Sequence, residues 1–166
     1  GSEGAVAGTL TLLVGGQTEA LDRARPLLEV IGSSIHHFGS VGMGQQVKAV
    51  NQVLVAGSYA AAAEAIALGQ RLQLPMEAVV TALKQGAAGS WALSHRSTAM
   101  LEGEYPLGFR LDLHHKDLNI ALSSGRDVGL EMPVTLLVQQ LEADLIRRGY
   151  GKEDVSTLRR FYDGTS

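Results

Sequence analysis

A chain of 166 residues with 45% hydrophobic and 19% charged side chains can fill one ordinary core, which excludes a disordered polypeptide. Its net charge of −3 supplies no basic field, and no run of Lys and Arg interleaves with aromatics, so no nucleic-acid partner is expected. Cysteine is absent, which removes disulfides, thiol catalysis and thiolate metal sites and leaves a reducing compartment, the cytoplasm, as the expectation.

The stretch "TLTLLVGG", residues 9–16, is a short β-branched run closed by glycines and reads as a strand. "TEALDRARPLLEVIG", residues 18–32, has a threonine cap, an acidic first turn and a closing glycine, so it reads as a helix. "SIHHFG", residues 34–39, reads as a second strand. A strand, a helix and a strand suit the edge of a βαβ layer, but two strands alone cannot form a parallel sheet covered on both faces.

From Gly39 onward the pattern is helical. "GSVGMGQQVKAVNQVL" passes from a glycine-rich loop into a helix whose apolar stripe reads as Val47, Val50 and Leu54. That helix is expected to run from Gln45 to Leu72, followed by helices over Pro75–Gln85, Ser90–Leu101, Leu113–Val128 and Pro133–Arg148 and a short one over Val155–Phe161. "EGEYPLGF" is a loop by its Gly and Pro content. The fold class read from this order is mainly α, a helical domain with a long first helix preceded by a short β-α-β segment. The longest apolar run, residues 53–68, is mostly alanine and is broken by Gly57, Ser58 and Glu64. A bilayer span needs about 20 predominantly apolar residues, so this run reads as a buried helix and no membrane partner is expected. Its small side chains let another helix approach closely, in a second copy of the chain. The first residues hold no basic segment ahead of an apolar core, so no signal peptide is read there.

Lys48 lies in the first turn of the helix read from Gln45, with Asn51, Gln52, Val55 and Tyr59 following at helical spacing. A cation near a positive helix end is unfavourably placed. Two readings stand on residue chemistry: a solvated surface lysine, or a partly desolvated one able to release a proton near neutral pH. In "FRLDLHHKDLNIAL", Lys116 and Asp117 open a helix whose buried stripe reads as Leu113, Leu118, Ile120 and Leu122, and by themselves they read as a solvated charged pair. The doublets His36–His37 and His114–His115 point in different directions and no carboxylate stands at ligand spacing, so no metal site is expected. "GAAGSW", residues 86–91, is a turn presenting the only tryptophan, either a core residue or a pocket wall. "GSVGMG" has the wrong glycine spacing for a dinucleotide fingerprint.

Taken together, "GSVGMGQQVKAVNQ", "AEAIALG", "GAAGSW", "YPLGFRLDLHHKDLNIAL", "GLEMPVT" and "GYGKEDVSTLRRFY" resemble, in order and spacing, the β-hydroxyacid dehydrogenases, the group containing 3-hydroxyisobutyrate dehydrogenase and tartronate semialdehyde reductase. "EGAVAGTLTLLVGG" is similar to the end of that family's nucleotide-binding domain. The resemblance implies a two-domain enzyme of which residues 1–38 are the remnant of an NAD(P)-binding Rossmann domain and residues 39–166 an all-helical substrate and dimerisation domain. It implies NAD or NADP as cofactor, bound mainly by a domain this chain lacks, a small semialdehyde or 3-hydroxyacid as substrate, and a homodimer or homotetramer.

Carried over by motif, Lys48 is the catalytic lysine, Asn51 and Gln52 hold substrate, Phe109 and Asp117 line or brace the substrate site, and Lys116 faces the nicotinamide. As hydride reaches a carbonyl carbon, charge builds on oxygen, and a lysine ammonium stabilises and protonates it. Gly1 and Ser2 read as the end of the family's serine-glycine motif or as a cloning scar. The isolated chain is expected to be inactive. A non-catalytic helical oligomerisation module and an imine-reductase-like relative are the competing readings, and Lys48 with Asn51 weighs against both.

Overall fold

The structure, a computed structural model, describes residues 2–164, so Gly1 lies outside the described residues. The elements in chain order are α1 (Ser2–Ala7), β1 (Leu10–Val14), α2 (Thr18–Ile31), β2 (Gly32–His37), α3 (Met43–Arg71), α4 (Met76–Leu83), α5 (Trp91–Glu102), α6 (Leu111–Asp127), α7 (Pro133–Arg147) and a closing 3₁₀ helix, Val155–Tyr162. The chain is mainly α, with a short β-α-β segment ahead of the helices, as read from the sequence. It divides into two compact units, Gly1–Gln52 and Val53–Ser166.

In the first unit β1 and β2 pair in parallel, with Thr11 opposite Ser34 and Val14 opposite His37, and α2 is the crossover that parallel strands require. The expected threonine cap is displaced by one residue. Gln17 is the N-cap, without a side-chain bond, and Thr18 is already helical. Residue Gly32 does not close the helix in a left-handed turn; it is extended and opens β2.

The glycine-rich loop has a packing cause. The end of β1 lies against the entry of α3 so closely that a Cβ on Gly15 would stand 2.6 Å from the Ser40 carbonyl oxygen, and one on Gly44 would collide with the Leu13 carbonyl. Gly39 and Gly42 have φ of 101° and 93°, the left-handed region that side chains avoid. The Gly16 amide donates to the Gly39 carbonyl at 2.7 Å, and His37 Nε2 bonds the carbonyls of Gly16 and Gly39 at 2.7 and 3.1 Å. His37 therefore has a structural partner set.

α3 begins at Met43, two residues earlier than expected, which puts Lys48 in the second turn, where the dipole has largely faded. The expected buried stripe is also corrected. Val50 and Leu54 are exposed, while Gln52, Ala56, Tyr59, Ala63 and Ile66 are buried. α3 carries apolar residues around most of its circumference, so periodicity alone did not select the face that packs. By length and composition α3 could cross a membrane, and 44% of its most apolar 18-residue window is buried inside the chain.

The second unit closes around one core. Ala56, Tyr59, Ala63 and Ile66 of α3 meet Met100 of α5, Leu111 and Leu118 of α6, Val138 and Leu145 of α7 and Val155 and Leu158 of the 3₁₀ helix. Each fully buried large aliphatic side chain contributes about 1.5–3 kcal/mol through removal from water. Half of the alanine run is thus core within this chain, while Ala61 and Ala65 line an exterior groove. Ser90 caps α5 by accepting from the Leu93 amide at 3.0 Å, and Gly103 ends it at φ 73°.

On α6 the buried positions are Leu111, His114, Asp117, Leu118, Ala121 and Gly125, whereas Leu113 and Ile120 of the expected stripe are exposed. The core reading of Trp91 fails as well, because the residue is 51% exposed.

Candidate active site

Three of the motif residues stand on α3 in the first unit. Lys48 and Asn51 are exposed and Gln52 is buried. Positions 48, 51 and 52 fall on one side of a helix, since residues three and four apart are neighbours there. Asn51 Nδ2 donates to Gln52 Oε1 at 2.9 Å, so the buried amide holds the exposed one in a set orientation.

The other three stand at the entry of α6 in the second unit. Lys116 Nζ lies 2.9 Å from Asp117 Oδ1, with side chains 60% and 8% exposed. The pair is therefore not a solvated one as read from the sequence: a nearly buried carboxylate anchors an exposed ammonium.

Phe109 precedes α6 and is tied down through its backbone. Its amide donates to Asp154 Oδ2 at 2.8 Å, and its carbonyl accepts from the Val155 amide at 2.9 Å. Its ring meets that of His114 edge-on, with centroids 5.6 Å apart.

Beneath this entry lies a polar layer that sequence reading missed. His114 and Glu142 are both fully buried, and His114 Nδ1 stands 2.6 Å from Glu142 Oε1. Burial pushes the Glu142 carboxyl above its usual value, and the neighbouring His114 and His115 oppose that shift. One signal was available: Glu142 occupies the inward stripe of α7 between Val138 and Leu145, where an unpartnered carboxylate would be costly. Asp154 is also fully buried, and its signal was its place one residue ahead of Val155 with Ser156 beyond, the pattern of a helix cap. Trp91 stacks on His95 at 4.5 Å, and the Arg96 guanidinium lies 4.9 Å from the indole centre. Among the described residues, no group of three or more His, Asp or Glu side chains is placed to hold a metal ion.

An ammonium has three donor hydrogens, and the one spent on Asp117 leaves others directed away from the carboxylate for carboxamide or phosphate oxygens.

Comparison with known proteins gives the same frame. Residues 42–162 match the family model described as NAD-binding of NADP-dependent 3-hydroxyisobutyrate dehydrogenase. Residues 1–39 match the NAD binding domain of 6-phosphogluconate dehydrogenase. The chain is 34% identical over 164 residues to 2-(hydroxymethyl)glutarate dehydrogenase of Eubacterium barkeri, covering 98% of this chain and 54% of the relative. It is 35% identical over 158 residues to 2-hydroxy-3-oxopropionate reductase of Escherichia coli, covering 95% and 54%. The solved 3-hydroxyisobutyrate dehydrogenase of Mycobacterium tuberculosis with L-serine superposes with a TM-score of 0.90 at 27% identity, over 99% of this chain and 58% of that one. The chain thus spans little more than half the length of these relatives. With a family model covering most of its length and relatives above 30% identity across nearly all of it, the chain belongs to the β-hydroxyacid dehydrogenase family.

Proposed function

We propose that the chain is the C-terminal part of an NAD(P)-dependent oxidoreductase interconverting a small 3-hydroxyacid and its semialdehyde, with Lys48 as the acid and base. The observation that carries this reading is the Lys48, Asn51 and Gln52 constellation on one side of α3, with the amide pair pre-set by its 2.9 Å bond, in a chain of this family. The named relatives act on hydroxyacids or semialdehydes, which supports the same substrate class here. The nicotinamide cofactor supplies the hydride when bound. Lys48 holds the proton at its Nζ for the oxygen that gains charge, and as the neutral amine it takes the hydroxyl proton in the oxidative direction. Asn51 and Gln52 orient the substrate, Asp117 braces Lys116 toward the cofactor, and Phe109 forms an apolar wall.

Residues 1–38 belong in this reading to the Rossmann domain and residues 39–166 to the helical domain, a division supported by the two family-model spans. The absence of cysteine supports a cytoplasmic location.

The working unit in this reading is a homodimer or a tetramer built from it. Leu68 of α3 and Leu72 just beyond it are 59% and 60% exposed and border an apolar groove of about 460 Å³ formed with α4 and the start of α5. A second copy of the chain would remove this apolar surface from water.

Kinetics of the full-length protein test the assignment. Lys48→Ala is expected to lower turnover by about 10²-fold or more with little change in cofactor affinity. Lys48→Arg is expected to be poor too, since a guanidinium does not give up its proton near neutral pH. Near-normal turnover in Lys48→Ala would overturn the role.

A further inference from the structure

Asp154 makes more bonds than a helix cap needs. Its Oδ1 accepts from the Ser156 amide at 3.0 Å and from Ser156 Oγ at 2.7 Å, which is the capping function. Its Oδ2 faces the other way and accepts from the amides of Gly108 and Phe109 at 3.0 and 2.8 Å. Arg96 Nε of α5 lies 3.4 Å from Oδ1, and its guanidinium covers the Trp91 ring. A cap requires one acceptor and tolerates Ser, Thr or Asn at the surface. Here a carboxylate is fully buried, which is costly unless its lone pairs are occupied and a cation stands near. Both conditions are met, and two of its four donors belong to the loop carrying Phe109.

The backbone around it carries the same registration. The Leu111 amide donates to the Glu153 carbonyl, and the Val155 amide to the Phe109 carbonyl, both at 2.9 Å. Phe109 is therefore held at its amide by the Asp154 side chain and at its carbonyl by the next residue. α6, with Lys116 and Asp117, begins two residues later.

We propose that Asp154 is a positioning residue of the substrate site, fixing the Gly108–Phe109 backbone so that the Phe109 ring and the α6 entry keep one register toward bound substrate. This rests on the reading of Phe109 as a substrate contact. An Asn at this position would turn its amide group either toward Gly108 and Phe109, where two donors would face it, or toward Ser156, where the hydroxyl can rotate to accept and one donor would face it; in both orientations a buried bond and the charge beside Arg96 are lost.

The test uses the full-length protein with Asp154→Asn, the milder Ser156→Ala, and Lys48→Ala as comparator. Asp154→Asn is expected to raise KM for the hydroxyacid about tenfold or more while cofactor Kd stays within about twofold, and Ser156→Ala to move KM about two- to fivefold in the same direction. Amide exchange at Gly108 and Phe109, which needs no turnover, is expected to accelerate in Ser156→Ala.

A merely structural carboxylate would lower Tm and leave KM unchanged. Unchanged KM overturns the proposal whatever the exchange at Gly108 and Phe109 shows, and Ser156→Ala decides alone if Asp154→Asn does not fold. If Lys48→Ala retains turnover, the Lys48 assignment falls, while the KM and exchange results still judge Asp154.

Discussion

Glu142 and Lys116 show how one site uses charge in two ways. Glu142 is fully buried beside His114, and burial raises its carboxyl above the ordinary 4.5. A carboxyl whose folded pKa is raised binds its proton more tightly in the folded state, so the contribution of Glu142 to stability is fully present below 4.5 and is lost as pH climbs from 4.5 through the raised value. Glu142→Gln removes that titration. Urea denaturation across this range should show a flatter pH dependence in the variant than in the parent. Lys116, by contrast, is 60% exposed at its side chain and held from one side by Asp117. Lys116→Ala should weaken dinucleotide affinity in the full-length protein with a smaller effect on kcat, measured by equilibrium titration of the cofactor. Lys48, Asn51 and Lys116 stood out as candidates because they sit in short motifs. The partners of His114 were not, since Glu142 lies 28 residues away on another helix.

At the scale of elements, existence and order were readable from β1 onward, α1 was not read, and the faces were not legible. The β-branched runs and the caps carried β1, α2, β2 and the five later helices to within a few residues. On α3 and α6 the expected stripes turned outward at Val50, Leu54, Leu113 and Ile120. Small residues contribute to the difference: Ala56, Ala63 and Ala121 admit a close neighbour beside the larger Tyr59, Ile66, Leu111 and Leu118 on the same buried faces. Replacement of a side chain in the true core should therefore be costly. Leu145→Ala, at a site with no exposure, should destabilise by roughly 2–5 kcal/mol in chemical denaturation. The β1–β2 pair has no further strand among the described residues, and two strands alone are marginal in water. In the isolated chain its amides should exchange faster than those of α6; equal protection would contradict this.

For the whole molecule, the apolar groove bounded by α3, α4 and α5 carries the expectation of a dimer. Its lining includes Ala61, Ala65, Leu68, Leu72, Val79 and Leu83. Stable interfaces bury about 800 Å² per partner. Ala65→Glu places a charge on this wall at an exposed position, so it should disrupt association and spare the fold of one copy. Light scattering at tens of micromolar should show a dimer for the parent and a monomer for the variant. A monomeric parent would remove the second copy as the occupant of the groove.

Local chemistry in the chain determined the family, the mainly helical class, the run of elements and the motif positions, because periodicity, caps and short motifs involve neighbours within a turn or two. Tertiary structure alone decided which face of α3 is core, why Gly15 and Gly44 must be glycine, and that Asp117 and Asp154 are buried. Each of those outcomes depends on what arrives from elsewhere in the chain: the Ser40 carbonyl at Gly15, the Leu13 carbonyl at Gly44, and the Phe109 amide at Asp154. A residue's bonds to distant partners are set by how volumes and unpaired donors meet on folding, and no local pattern carries that information.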